Sequence, residues 1–180
     1  MQEPYYEPDI NSTDRPYYPF SCHSQSWQGS DRMCDAHWHY AIEILYATRG
    51  SASILLNGRF YTFGQGDMVL INARDVHAIW GAQQTEYICI KFNPEILYTA
   101  ARFVFESRYV LPFTMANTSP QKVFLSSEIE ETPLPALIRD FEETVTKYSR
   151  IILSELNLPN DDRTIRPVDS RSSARRFIST

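Results

Sequence analysis

Cysteine is scarce in this chain and badly spaced for cross-linking: Cys22, Cys34 and Cys89 are the only three in 180 residues, and none falls in a C-x-x-C pair. An odd count without paired spacing excludes a disulfide framework and a zinc ribbon, and leaves small buried or half-buried thiols. Long apolar runs are also missing. None approaches the ~18 residues read as a membrane span, and the opening MQEPYYEPDI is acidic and proline-rich, without the apolar core of a signal peptide. A cytoplasmic protein with no membrane partner is the expectation. Positive charge is not in excess either, and a formal net charge of −5 argues against a nucleic-acid surface spread over the whole domain. No internal repeat is present, and the length allows one sizeable core and hardly a second.

Aromatic residues are plentiful, with 11 Tyr and 10 Phe, which favours β-structure and aromatic-lined cavities. Residues 1–20 are rich in proline and tyrosine and lack periodicity, the mark of an arm laid on something else. Tyr17, Tyr18 and Phe20 within it either cover a pocket or anchor a loose end. From there to about residue 92 strand follows strand. His37 to Thr48 alternates with both faces largely apolar, so one strand covered on both sides is expected. Ser51 to Leu56 leads into Asn57-Gly58, the dipeptide of a two-residue hairpin turn, and Arg59 to Phe63 returns. Gly64-Gln65-Gly66-Asp67 is a second turn, followed by strands at Met68 to Asn72, His77 to Trp80 and Thr85 to Phe92. Short strands joined by tight turns indicate a barrel or a sandwich.

After Pro94 the pattern changes. Residues 95–120 are irregular, with one short helix conceivable over Thr99 to Glu106, and Lys122 to Leu125 is either a strand or an extended link. A helix then begins, with Thr132 as cap and Pro133 in its first turn. Leu134, Leu137, Ile138, Phe141, Val145 and Tyr148 lie on one stripe, which suits either a cover for the sheet or a dimer contact, cover being favoured. Ile151 to Leu156 suggests a second short helix. Beyond it the chain is polar, and Arg163, Arg166, Arg171, Arg175 and Arg176 are interspersed with Asp161, Asp162 and Asp169, as in a solvated tail. The expected organisation is an arm over 1–20, a β-domain over 21–130, helices over 131–158 and a disordered tail over 159–180.

The chemistry-bearing residues stand close together. His37, His39 and Glu43 share one parity of a strand, and His77 opens a later one. Three imidazoles and a carboxylate suit zinc, nickel, iron or manganese, or alternatively orient a small molecule without metal. On a straight strand His39 and Glu43 would lie about 13 Å apart, so joint action requires a strong bend. Trp27, Trp38 and Trp80 could stack on a sugar ring. Trp38 and Trp80, opposite in parity to the neighbouring histidines, are expected instead to pack, Trp38 outside the sheet and under the helix.

The pattern His37-x-His39-x-x-x-Glu43, with Gly50, Gly66-Asp67 and His77 after it, resembles the two signatures of the cupin superfamily. It departs from them at Asp31, Asn72, Arg74 and Gly81, none of which is a candidate ligand. More narrowly, HWHYAIEILYATRGSASILLNGRFYTFGQGDMVLINARDVHAI, continued by VLPF, QKVF and ETPLPALIRDFEET, is similar to the N-terminal sensor domain of AraC-type transcription regulators, over roughly residues 15–148. The resemblance implies a mainly β fold, a cupin-type antiparallel β-barrel (jelly roll) followed by one or two α-helices. It also implies an effector-binding and dimerisation domain, with a small molecule such as a sugar as partner, and no catalysis. His37, His39, Glu43, His77 and Tyr18 are its candidate effector contacts, and the first four its candidate metal ligands should a divalent metal be bound, though none is required. The DNA-binding helix-turn-helix units of that family have no counterpart in this sequence, so no specific DNA binding is expected of the chain alone. The alternative is a metal-dependent cupin enzyme of dioxygenase or sugar-isomerase type.

Overall fold

The computed structural model describes residues 3–8, 20–29, 32–82, 84–96 and 121–155, the last seven of them as helix backbone only. Tyr17 and Tyr18, the helix expected near 99–106 and the tail over 159–180 lie outside these residues. Among the described residues there are ten strands: β1 (Tyr5–Tyr6), β2 (Phe20–Trp27), β3 (Arg32–Trp38), β4 (Ile42–Arg49), β5 (Ser51–Leu56), β6 (Arg59–Gly64), β7 (Met68–Ile71), β8 (His77–Gly81), β9 (Thr85–Phe92) and β10 (Val123–Phe124). The described residues also hold two helices, α1 (Ser126–Ile129) and α2 (Leu134–Glu155).

The strands form two five-stranded sheets, ordered β1-β3-β8-β5-β6 and β10-β7-β4-β9-β2. Every pairing is antiparallel except that of β1 with β3, which is parallel. The fold is the expected cupin-type jelly roll, with one correction: among the described residues no ladder joins the sheets into a closed barrel. Alternation in each strand explains the packing. Ala52, Ile54, Leu56, Phe63 and Ile79 of the first sheet meet Leu45, Ala47, Val69, Ile71, Tyr87 and Cys89 of the second in a buried core. The opposite face of the second sheet, with Cys22, Tyr46, Met68, Ile88 and Ile90, packs on Ile129 and Ile138 of the two helices. Hence β4 is covered on both sides, as its two apolar parities require.

Local turn chemistry fixes the hairpin of β5 and β6. Asn57 and Gly58 both have positive φ, 48° and 80°, the backbone that matches the twist of the strands they join. Asp67 holds the next turn and ties it to α1, accepting from the Gly64 N–H at 2.8 Å and the Ser126 N–H at 2.7 Å.

Three expectations are corrected. The single strand expected over 37–48 is two, because the chain bends between Trp38 and Ile42 and passes from one sheet to the other. The two helices expected over 131–158 are one 22-residue helix, since nothing between Tyr148 and Ile151 breaks it. Its start is as expected, with the Thr132 hydroxyl accepting the Leu134 N–H at 3.3 Å. The apolar stripe is only partly used: Ile138 is buried and Leu134, Phe141 and Val145 pack beside it, but Leu137 and Tyr148 stay exposed. Polar contacts complete the docking, from the Ser24 hydroxyl to Glu142 Oε1 at 3.0 Å and from Arg139 Nη2 to Tyr46 Oη at 3.3 Å. Among the described residues, no helix is long and apolar enough to cross a membrane.

Ile138→Ala should cost about 2–4 kcal/mol, as truncation of a buried branched side chain does. Leu137→Ala, at 58% exposed on the neighbouring position, should change stability by less than about 0.5 kcal/mol. Urea unfolding measures the contrast; equal losses would mean that the helix docks by another face.

Candidate functional site

Strand pairing and one bend assemble the site. His37, near the end of β3, is the cross-strand partner of His77, the first residue of β8. His39 lies in the bend between the sheets, and Glu43, near the start of β4, faces Lys91 of β9 across the ladder. The loop before His77 is held by Asp75, which is buried. Its carboxylate accepts from Asn57 Nδ2 at 2.6 Å, the Asn72 N–H at 3.0 Å and Lys122 Nζ at 2.8 Å. Asp75 therefore sets where β8 begins, and with it the direction of His77.

His37, His39, Glu43 and His77 are all buried, with one ligand atom of each lying within 4.8 Å of the others. The bend resolves the distance problem of a straight strand and brings His39 Nε2 to 2.8 Å from Glu43 Oε2. All three imidazoles are anchored alike. Nδ1 of His37, His39 and His77 lies 2.8, 2.9 and 3.0 Å from the carbonyl oxygens of Asp35, Ala41 and Asp75. A carbonyl accepts only, so Nδ1 carries the proton in each ring and Nε2 is the atom offered to the centre. His77 Nε2 approaches Glu43 Oε2 at 3.3 Å, off the hydrogen-bonding direction, and is left without a hydrogen-bond partner. Convergent Nε2 atoms beside a carboxylate fit a divalent cation.

Other residues complete the cluster without having been singled out in the sequence. Glu7, just beyond β1, sets its Oε2 at 3.5 Å from His37 Nε2 and 2.6 Å from Lys91 Nζ. Tyr5 stacks on the His37 ring, centroids 5.5 Å apart. Lys91 Nζ lies 3.6 Å from Glu43 Oε2, and the Cys89 thiol donates to Glu43 Oε1 at 3.2 Å. Cys34 Sγ lies 3.2 Å from His37 Nδ1. The signal for Lys91 was available: Tyr87, Cys89 and Lys91 share the inward parity of β9, and a lysine there demands partners. For Glu7 no local pattern existed.

The tryptophans stand elsewhere. Trp38 is half-buried against Tyr6 and Tyr40, centroids 4.8 and 5.6 Å away, outside the first sheet and not under the helix, which covers the second. Trp80 is not in the core but half-buried, between Phe60 at 5.6 Å and the Arg32 guanidinium at 5.1 Å. Trp27 packs at the far end of β2, near Gly81 and Gly29.

Burial opposes charge throughout this cluster, and pairing decides which groups keep it. Burial raises the Glu43 carboxyl, but Lys91, His39 and His77 outweigh it and hold the group well below the usual range. Burial opposes the Lys91 charge as well, yet Glu43 and Glu7 keep it raised. Glu7, despite burial, is lowered to about 2 by His37 and Lys91, and His37, despite burial, is raised to about 10 by Cys34 and Glu7. In His77 burial prevails over the pull of Glu43 and lowers the value.

These shifts give a signed expectation for metal-free protein. His37 is raised, so its contribution is full below about pH 6.5 and is lost as pH rises through about 10. Glu7 is depressed, so its contribution is full above about pH 4.5 and is lost as pH falls through about 2. The stability difference between wild type and Glu7→Gln should thus be widest between these windows and narrow on both sides, the Lys91 pair persisting on the alkaline one. Thermal unfolding against pH checks this; a difference flat from pH 4 to 10 would show that Glu7 is not ion-paired.

Comparison with known proteins gives three kinds of result. Among solved structures, the chain is similar to the plu4264 protein from Photorhabdus luminescens, with 15% identity, TM-score 0.40 and coverage of 50% of this chain and 76% of that one. It is also similar to a cupin superfamily protein from Desulfitobacterium hafniense, with 18% identity, TM-score 0.34 and coverage of 37% and 61%. A predicted oxalate decarboxylase from Thermotoga maritima matches at 20% identity, TM-score 0.35 and coverage of 38% and 61%. The chain spans about three-fifths of the length of the first solved proteins it matches, and at these scores the likeness carries no inference about activity. No curated protein matches. A family model, that of the AraC-like ligand binding domain, matches residues 20–155. By that match over most of its length, the chain belongs to the AraC-like ligand-binding domain family.

Proposed function

We propose that this chain is the sensing part of an AraC-type transcription regulator and is not a catalyst. A small molecule entering the cluster of His37, His39, Glu43 and His77 shifts the N-terminal arm between two positions. The observation that carries the reading is the seat of the arm on the cluster: Tyr5 covers the His37 ring, and Glu7 lies against His37 and Lys91. Among the described residues, the backbone of the arm is held by a two-residue parallel pairing and a bond from the Glu7 N–H to the Trp38 carbonyl at 2.9 Å, and its side chains by the cluster itself and by Trp38 and Tyr40. An occupant of the cluster that contacts Glu7 or Tyr5 therefore has different affinity for the two arm positions, which is the condition for a ligand to shift them.

In this reading two copies pair through the α2 side that leaves Leu137 and Tyr148 uncovered, DNA is contacted through a domain outside this sequence, and the protein works in the cytoplasm. Tyr18, in the arm, is retained as an effector contact. A sugar is one candidate effector, although none of the three tryptophans packs against the cluster to offer a stacking face. The test is a thermal-shift screen of sugars and small organic acids, followed by hydrogen exchange of the Tyr5, Tyr6 and Glu7 amides with any ligand found. Their exchange should change on binding; a bound ligand that leaves all three unchanged would refute the arm mechanism.

The second reading, a metal-dependent cupin enzyme, is favoured by the three carbonyl-anchored imidazoles. A zinc, nickel, iron or manganese ion held by His37, His39, Glu43 and His77 would supply Lewis acidity or, for iron and manganese, redox chemistry. Against it stands the Lys91 ammonium, a like charge for any cation there. Nickel or zinc at ~100-fold over its dissociation constant should stabilise the wild type by about 2.7 kcal/mol, and His39→Ala or His77→Ala should abolish that gain relative to chelator. Equal gains in all three proteins would put the metal elsewhere. Stoichiometric iron or manganese in protein purified without a polyhistidine tag would favour the enzyme.

A further inference from the structure

The charge arrangement around Lys91 specifies the kind of molecule the site can take. Lys91 rises from the inner face of β9, its side chain only 15% exposed. An ammonium so far out of water needs anionic partners. Of its two carboxylates, Glu43 is the farther, at 3.6 Å, and is already engaged by His39 at 2.8 Å and by the Cys89 thiol at 3.2 Å. The nearer partner, Glu7 at 2.6 Å, comes from the arm, whose described strand pairs with β3 over two residues. Glu7 is also the more accessible member of the pair, with 36% of its side chain exposed, so solvent reaches the ion pair from the Glu7 side.

We infer that the molecule sensed at this site is a small carboxylate, and that Glu7 is its tethered stand-in, occupying the place on Lys91 and beside His37 that the acid group of the ligand takes. The inference rests on the sensor reading above and adds the chemical class of the ligand. Exchange of one carboxylate for another keeps the Lys91 ion pair, the contact to His37 Nε2 and the net charge of the cluster. A neutral molecule in the same place would leave the ammonium only Glu43, the farther and already engaged carboxylate, and a cation would meet it as a like charge. Displacement of Glu7 frees the segment on which Tyr5 and Tyr6 sit, so the exchange is felt by the arm as a whole. Because Glu7 is covalently tethered, it competes at high effective concentration and raises the apparent dissociation constant of the free acid.

The experiment uses acetate as the smallest probe of the acid group, with acetamide and matched sodium chloride as controls, on the full chain. Glu7→Gly removes the competing carboxylate from a half-buried arm position and leaves Glu43 as the partner of Lys91, so the variant should fold at reduced stability. Calorimetric titration and thermal unfolding should show acetate bound to Glu7→Gly about tenfold or more tighter than to wild type, with no response to acetamide. Lys91→Gln in the Glu7→Gly background should lose the response, and Lys91→Arg should keep it. The inference is overturned if acetate stabilises Glu7→Gly no more than acetamide or chloride does, or if the Lys91→Gln double variant responds equally. Should that happen while a neutral compound binds wild type and alters Glu7 amide exchange, the carboxylate assignment alone falls. Acetate binding as expected, with no compound affecting arm exchange in wild type, would uphold the anion site and remove the sensor reading.

Discussion

One ammonium largely withdrawn from water, that of Lys91, organises the inside of this domain. Lys91 stands on the inward parity of a strand otherwise committed to the core, and desolvation there would expel its charge were it unpaired. Glu43, its cross-strand neighbour, answers within the sheet, and Glu7 answers from the arm. The same Glu43 takes the contact from His39 and lies against His77. Strand pairing, the bend at 39–41 and the seat of the arm are thus bound to one set of charges. Neutralising Lys91 would take a partner from both Glu43 and Glu7, and a half-satisfied buried network is costlier than an apolar core.

How far the sequence discloses this arrangement depends on the range of the interactions. The hairpin at Asn57-Gly58 and strand β5 are legible to the residue because their causes are local, namely positive φ at two positions and strict alternation. The helix start at Thr132 is legible for the same reason, whereas the extension of α2 through Ser149 and Arg150 goes against a break that no residue demanded. His37, His39, Glu43 and His77 announce themselves by chemical type. What brings His39 to Glu43 does not, because the bend that replaces a continuous strand leaves no trace in parity. The pair Glu7 and Lys91, 84 positions apart, is the extreme case. Nothing near Glu7 distinguishes it from other acidic residues of the arm, and only the closed fold gives it a partner.

The parity argument for Trp38 shows a different limit. Parity correctly turned the ring away from the histidines, but it could not say which sheet the helix would cover. The helix went to the second sheet, where β2, β4, β7 and β9 present their outer apolar face. Trp38 was left to the first sheet, under Tyr6 of the arm. That misplacement bears on function, because the arm thereby gains an aromatic foothold outside the cluster as well as a charged one inside it.

The two functional readings share the same imidazoles and separate on the treatment of charge. A resident divalent cation would be held by three Nε2 atoms and one carboxylate, all already aimed by carbonyl anchors. Yet an ammonium 3.6 Å from that carboxylate lowers the affinity for any cation, and a second carboxylate, Glu7, is spent on compensating the ammonium. A site evolved for metal alone gains from removing Lys91, which would leave Glu43 free for the ion. A site that must take up and release an anion gains from keeping it, because a fixed positive charge with a removable partner is what such exchange requires. The presence of Lys91 beside a ready set of metal ligands is therefore explained by ligand exchange at the arm more directly than by metal chemistry.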